Sequence, residues 1–193
     1  MSIEILLLVL AAAVLVWIAW TFNRLVSLRN RLRAAWADVD ALLKRRAELI
    51  PNLVAAVRGY IGHEQRVLEG VTEARAGAAG AGDGPERAAS RAGAESVLSR
   101  RLTQLMAVVE AYPELRASAS FLELQAELTR TEDDLASARR YYNAVVRDFN
   151  TLRETFPTLI VSRPLGFRPA ELFELEEPAE RSAPAADVRP ETP

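Results

Sequence analysis

Ile3-Glu-Ile-Leu-Leu-Leu-Val-Leu-Ala-Ala-Ala-Val-Leu-Val-Trp-Ile-Ala-Trp-Thr-Phe22 is the stretch whose reading decides the fold, and it runs without a turn signal into a second helical pattern that reaches Ala74. Apart from Glu4 at its outer end it is uncharged, and about 20 such residues are needed to cross a hydrocarbon core as a helix. Trp17 and Trp20 lie near its C-terminal end, where amphipathic rings prefer the headgroup level. Only the amino terminus and Glu4 flank one side, whereas Arg24, Arg29, Arg31 and Arg33 follow on the other, with Lys44, Arg45 and Arg46 beyond. The positive-inside tendency therefore predicts one span of the cell membrane with the N-terminus outside and the bulk of the chain cytoplasmic. Trp17, Trp20, Arg24 and Arg29 are the expected membrane-interface residues. A cleaved secretory signal fits less well, since there is no basic n-region and Trp20-Thr-Phe-Asn23 is not a small-residue cleavage site. The core helix of a soluble protein fits less well again, because the run is apolar on every face.

Working outward, the apolar positions Leu25, Leu28, Leu32, Ala35, Val39, Leu42, Leu49 and Leu53 recur at helical spacing, widened by Trp36, Leu43, Ile50 and Val57. Pro51 removes one backbone hydrogen bond, at about 3 kcal/mol, and predicts a kink or a one-turn break. The stripe continues through Val54, Val57, Ile61, Glu64, Leu68 and Val71, with Glu64 its one ionisable member. The Gly/Ala run from Gly77 to Gly84 predicts a loop after a helix ending near Ala76. A restart at Pro85 leads to a second helix, Glu86 to Ala111, with a clear seam at Leu98, Leu102, Leu105 and Val109.

After a turn at Tyr112-Pro113, Ser118 or Ser120 is placed to cap a third helix running from Phe121 to Phe156. Its three-four spacing is the most regular in the chain and implies a rod about 50 Å long. Beyond Pro157, a Pro-punctuated segment is expected to return to the bundle, with Pro169 starting a short helix that carries Leu172 and Phe173. From Glu177 the sequence is rich in Pro, Ala and Glu, with little to bury, and reads as disordered.

No alternating strand pattern occurs, and short connections favour antiparallel neighbours. The fold expected is all-α: one N-terminal transmembrane helix (1–23), then an antiparallel up-and-down bundle of three to four long helices (24–176) and a tail (177–193). Composition agrees with a single folded domain, since 50% hydrophobic and 26% charged residues exclude a wholly disordered chain. A net charge of -2 gives no case for nucleic acid, and the lack of cysteine excludes a disulfide scaffold or a thiolate metal site.

Several of these segments resemble the LemA family. They are Asn30-Arg-Leu-Arg-Ala-Ala-Trp-Ala-Asp-Val-Asp40, Leu43-Lys-Arg-Arg-Ala-Glu-Leu-Ile-Pro-Asn-Leu53, Gly59-Tyr-Ile-Gly-His-Glu64, Ala111-Tyr-Pro-Glu-Leu115, Phe121-Leu-Glu-Leu-Gln125, Thr131-Glu-Asp133, Ala138-Arg-Arg-Tyr-Tyr-Asn143 and Phe156-Pro157. The resemblance runs in consistent order from the membrane exit to Phe173. It implies a short outside N-terminus, one span and a cytoplasmic helical bundle, and it brings no established molecular activity with it.

Few residues suggest chemistry. His63 and Glu64 are of proton-carrying types, but adjacent helix positions point about 100° apart and cannot chelate one ion together. His63 is the only histidine, so neither the paired Glu-x-x-His motifs of di-iron bundles nor a His-Glu-x-x-His zinc motif is present. Glu132, Asp133 and Asp134 could attract a divalent cation, but a helix splays them around its circumference. Neither cofactor nor metal is expected. Three residues are structural polar-core candidates: Arg46, which falls on the seam as an interior ion-pair partner, and Glu64 paired with Arg139. The expected function is an interaction or scaffold protein at the membrane. A membrane-bound enzyme or metal protein using His63, Glu64 or the Glu132-Asp133-Asp134 cluster is the alternative. Expected partners are the lipid bilayer and a membrane or cytoplasmic protein, with a second copy of the chain also admitted.

Overall fold

The computed structural model describes residues 2–60 and 64–175. His63 and the tail from 177 onward lie outside the described residues. Among those described there are helices and no strands. The long elements are α1 (Ser2–Arg58), α2 (Gln65–Gly80), α3 (Ala88–Val109) and α5 (Ala119–Glu154), with single turns α4 (Pro113–Arg116) and α6 (Leu159–Ser162) and a 3-10 turn at Pro85–Arg87. Helix α1 packs along α5, α2 packs along α3, and α6 sits against both α1 and α5.

Helix α1 is continuous for 57 residues, straight through Pro51. The expected one-turn break is absent, and a contact from another helix helps to explain why. Pro51 has no N–H to offer the carbonyl four residues back, that of Ala47. Arg75 on α2 fills the vacancy, its Nε donating to the Ala47 carbonyl at 2.7 Å. The helix ends instead at Arg58, ahead of Gly59, and resumes at Gln65 with Glu64 at the N-cap. At the other end of α2, helix persists through Gly77 to Gly80, beyond the expected stop at Ala76, and Ala78 is buried.

Ser118 caps α5, its hydroxyl accepting from the Phe121 N–H at 3.3 Å. After α6 the chain doubles back along α5, and residues 167–175 form no regular secondary structure, where Pro169 had suggested a short helix. Two asparagines two turns apart on α5 explain the difference. The Asn150 side chain donates to the Ala170 carbonyl and accepts from the Ala170 N–H, both at 2.9 Å. Asn143 treats Phe173 in the same way, at 3.0 and 2.9 Å. Backbone groups held in this manner cannot also close a helical turn. The strap seats Phe167 and Phe173 in the core and covers Tyr142, whose hydroxyl donates to the Glu171 carbonyl at 2.9 Å.

Two apolar clusters result. One gathers Leu25 to Leu43 of α1 with Ala88, Ala92, Leu135, Tyr142, Phe149 and the strap. The other gathers Ile50 to Val57 with α2, the later part of α3, Leu115, Phe121 and Leu128.

Two outcomes test this packing. Arg75→Ala is expected to lower stability by about 1.5–3 kcal/mol, the range for a hydrogen bond from a charged donor. In a Pro51→Ala background, where the Ala47 carbonyl regains a backbone donor, denaturant titration should find that penalty markedly reduced. Burial pushes the Tyr142 phenol above its ordinary value of 10.0, with the Glu171 and Glu86 carboxylates adding to the effect. The stability that the neutral phenol contributes is therefore full below the unfolded pKa of about 10 and is lost as pH rises toward the higher folded value. Melting curves across alkaline pH should show a steeper loss for wild type than for Tyr142→Phe.

Candidate functional site at a buried arginine layer

The two apolar clusters are separated by a polar layer built on Arg46. The three-four spacing of α1 places this residue inward between Leu43 and Ile50, and the whole residue is 0% exposed. Its Nη2 bonds the Glu95 carboxylate of α3, while its Nη1 reaches Glu132 Oε1 of α5 at 2.8 Å and Ser99 Oγ at 3.1 Å. Glu95 is also buried, and its second oxygen accepts from Arg91 Nε at 3.0 Å. Arg91 in turn faces Asp83 in the loop before α3 at 3.8 Å. A chain of alternating charges thus crosses the molecule, from the exposed Asp83 through Arg91, Glu95 and Arg46 to the half-exposed Glu132.

Desolvation opposes the charge on Arg46, but Glu132 and Glu95 more than offset it and hold its pKa above the ordinary value. A guanidinium so placed stays charged and is neither a proton donor nor a base. Its planar fork suits two carboxylates at once, which a lysine could not match. Beside the layer, α3 and α5 border an open groove of about 790 Å³, lined in part by Ser99, Leu102, Met106, Leu128, Glu132 and Arg139.

The structure separates the other predicted residues. Glu64 is exposed at the N-cap of α2. The break after Arg58 takes it out of the stripe, so it is not the buried carboxylate expected to meet Arg139. Arg139 is half-buried on the groove wall. Within the acidic cluster, Glu132 turns inward to Arg46, while Asp133 and Asp134 face solvent. Among the described residues no group of three or more His, Cys, Asp or Glu is placed to hold a metal ion. At the other end, Trp17 is half-buried and Trp20 exposed, with the Arg24 guanidinium 5.5 Å from the Trp20 ring centroid. Arg29 stacks at 5.1 Å over Phe167, and is thus held by the bundle itself.

Sequence reasoning found Arg46 but missed Glu95 and Arg91. The signal was present, because Ala88, Ala92 and Glu95 continue the spacing of Leu98 and Leu102 upstream, behind the small residues that make the start of α3 look featureless.

Removing Arg46 leaves the Glu95 charge buried with less compensation, so Arg46→Met should cost about 3–5 kcal/mol in chemical denaturation. Glu132→Gln, at a partner with a side chain 38% exposed, should cost about 1 kcal/mol or less. Equal losses in the two variants would contradict the layer as described.

The chain is 25% identical over 180 residues to magnetosome protein MamQ 2 of Paramagnetospirillum magneticum, covering 82% of this chain and 66% of the relative. Magnetosome protein MamQ of Magnetospirillum gryphiswaldense is 24% identical over the same length. Protein LemA of Metamycoplasma hominis is 25% identical over 156 residues, 80% of this chain and 69% of that protein. The chain therefore spans about two thirds of the length of these curated relatives. The LemA family model matches residues 35–187, a span that takes in the Arg46 layer, the asparagine strap, the whole of one apolar cluster and most of the other, and the chain belongs to the LemA family.

Proposed function

We propose that this chain is a single-pass membrane protein whose cytoplasmic part is an antiparallel up-and-down helical bundle offering an interaction or scaffold surface to a protein partner. The observation that carries the reading is the exposure of the N-terminal third of α1. Its apolar side chains from Ile3 to Phe22 are exposed apart from the half-buried Trp17, and the same helix then enters the core. About 20 exposed apolar residues on an unbroken helix suit a bilayer and not water. Packing begins at Thr21, which is 2% exposed, and Phe22 meets Phe167 edge-on at 5.9 Å. Cleavage after the apolar run would therefore cut into the bundle, which argues against a signal sequence.

The antiparallel arrangement is supported by contacts that run in opposite chain order, Trp36 against Tyr142 and Arg46 against Glu132. Cytoplasmic placement of the bundle is supported by the arginines that follow the span. A scaffold role is favoured over catalysis because the charged groups of the buried layer are committed to one another.

The chain has no native cysteine, so Ser2→Cys and Ser137→Cys report sidedness directly. With a membrane-impermeant maleimide on intact cells, Ser2→Cys should label and Ser137→Cys should label only after permeabilisation. The reverse pattern would overturn the orientation. Photocrosslinking from the exposed Val97 and Leu122 positions in native membranes should yield discrete adducts with another protein or a second copy, and an absence of adducts would remove the scaffold reading.

A further inference from the structure

Beyond Phe22, the exposed large hydrophobic side chains among the described residues are few, and Tyr60, Val97, Leu122 and Tyr141 stand in separate places along the chain. Three others come from one corner, the turn out of α5 and the α6 segment: Phe156, Ile160 and Leu165 are 77%, 60% and 50% exposed. The corner is well built, since Thr158, Val161 and Ser162 are buried and the Ser162 hydroxyl donates to the Arg153 carbonyl at 2.7 Å. Its outward apolar residues are thus displayed by a packed turn.

The corner also lies where the apolar helix leaves the bundle. Trp36 meets Tyr142, and Arg46 meets Glu132, ten residues further along α1 and ten back along α5. Carried about twelve residues the other way at 1.5 Å each, the end of α5 comes level with Arg24. Helix α6 packs on α1, and Phe167, just after the corner, touches Phe22 and Arg29. Arg163 and Arg168 flank the exposed residues and Arg24 and Arg31 face outward on α1, all exposed. Of the carboxylates nearby, Glu154 is paired with Arg153, and Glu86 shares a hollow with Gly166, Arg168, Arg29 and Arg33.

We infer that Phe156, Ile160 and Leu165 form a second membrane contact, which rests on the proposed span and inserts into the same leaflet interface. An apolar face can seat about 5–10 Å into the headgroup–acyl boundary, with surrounding arginines meeting anionic headgroups. The bundle is then held to the bilayer at two points, the span and this corner, which restrains its tilt about the membrane exit. Continuity with the span selects lipid as the occupant, because a protein partner would have to approach through the headgroup layer.

The test uses the full-length chain in a phosphatidylcholine–phosphatidylglycerol bilayer, with an environment-sensitive fluorophore on single cysteines at Ile160 and Leu165. Ser137→Cys serves as the aqueous reference and Leu10→Cys as the reference for the span. Labels at 160 and 165 should be quenched by brominated phospholipid and be several-fold less accessible to iodide than the label at 137. Iodide access equal to that at 137, with Leu10 still lipid-quenched, overturns the corner contact while leaving the span intact. An aqueous Leu10 label would overturn the span itself, and the inference with it. Protection from iodide without lipid quenching would place protein on the corner and likewise overturn the inference. Circular dichroism melts of Ile160→Glu should match wild type in detergent, while the lipid quenching of a label at 165 falls several-fold in the bilayer.

Discussion

A guanidinium with no access to water sets the terms for the rest of the fold. Arg46 cannot shed its charge, so it is tolerated only where carboxylates meet it with good geometry. Glu95 and Glu132 do so from two different helices, and Arg91 then holds the oxygen of Glu95 that Arg46 leaves over. A shift of one residue in α1, α3 or α5 would bury an unmatched charge. Apolar seams alone tolerate sliding by a turn, and a polar residue at a core position is the best-attested device for preventing it. We read the Arg46 layer as such a register key, lying between two apolar clusters that would otherwise merge.

The same economy governs the backbone. Pro51 strips a donor from the Ala47 carbonyl, and a side chain from α2 replaces it. The strap at 167–175 lacks helical or sheet bonds of its own, and Asn143 and Asn150 satisfy both backbone groups of Phe173 and of Ala170. In both places a polar side chain from a neighbouring helix lets an unfavourable local conformation persist, because buried backbone groups without partners are expensive. The strap in turn closes the cluster around Leu25 to Leu43, placing Phe173 at 5.9 Å from Trp36, which itself stacks edge-on with Tyr142 at 5.4 Å.

Under the membrane reading, the continuity of α1 matters mechanically. A hinge between span and bundle would let the bundle swing, whereas 57 residues without a break join the two directly. The aromatic contacts of Phe167 with Phe22 and the stacking of Arg29 brace that junction from the side. The rod is then an oriented object, which is what the proposed interaction surface would require.

The periodicity of the chain was enough to determine the helical class, the apolar N-terminal run, the long third helix and the inward position of Arg46, because each is a local property of spacing and residue type. The Ser118 cap was legible for the same reason. The end of the first helix was not: the stripe continues past Gly59 to Val71, and pattern alone does not show that Arg75 relieves Pro51 while the glycine ends the helix. The inward position of Glu95 is likewise written in the spacing of α3, but its pairing with Arg46 is not, since the two lie 49 residues apart and meet only once α3 has packed. Glu64 and the segment after Pro169 were misread on the same account. One lost its buried setting when the helix broke, and the other forms no helix because two asparagines on α5 hold its backbone, so tertiary contacts between distant residues overrode a local preference.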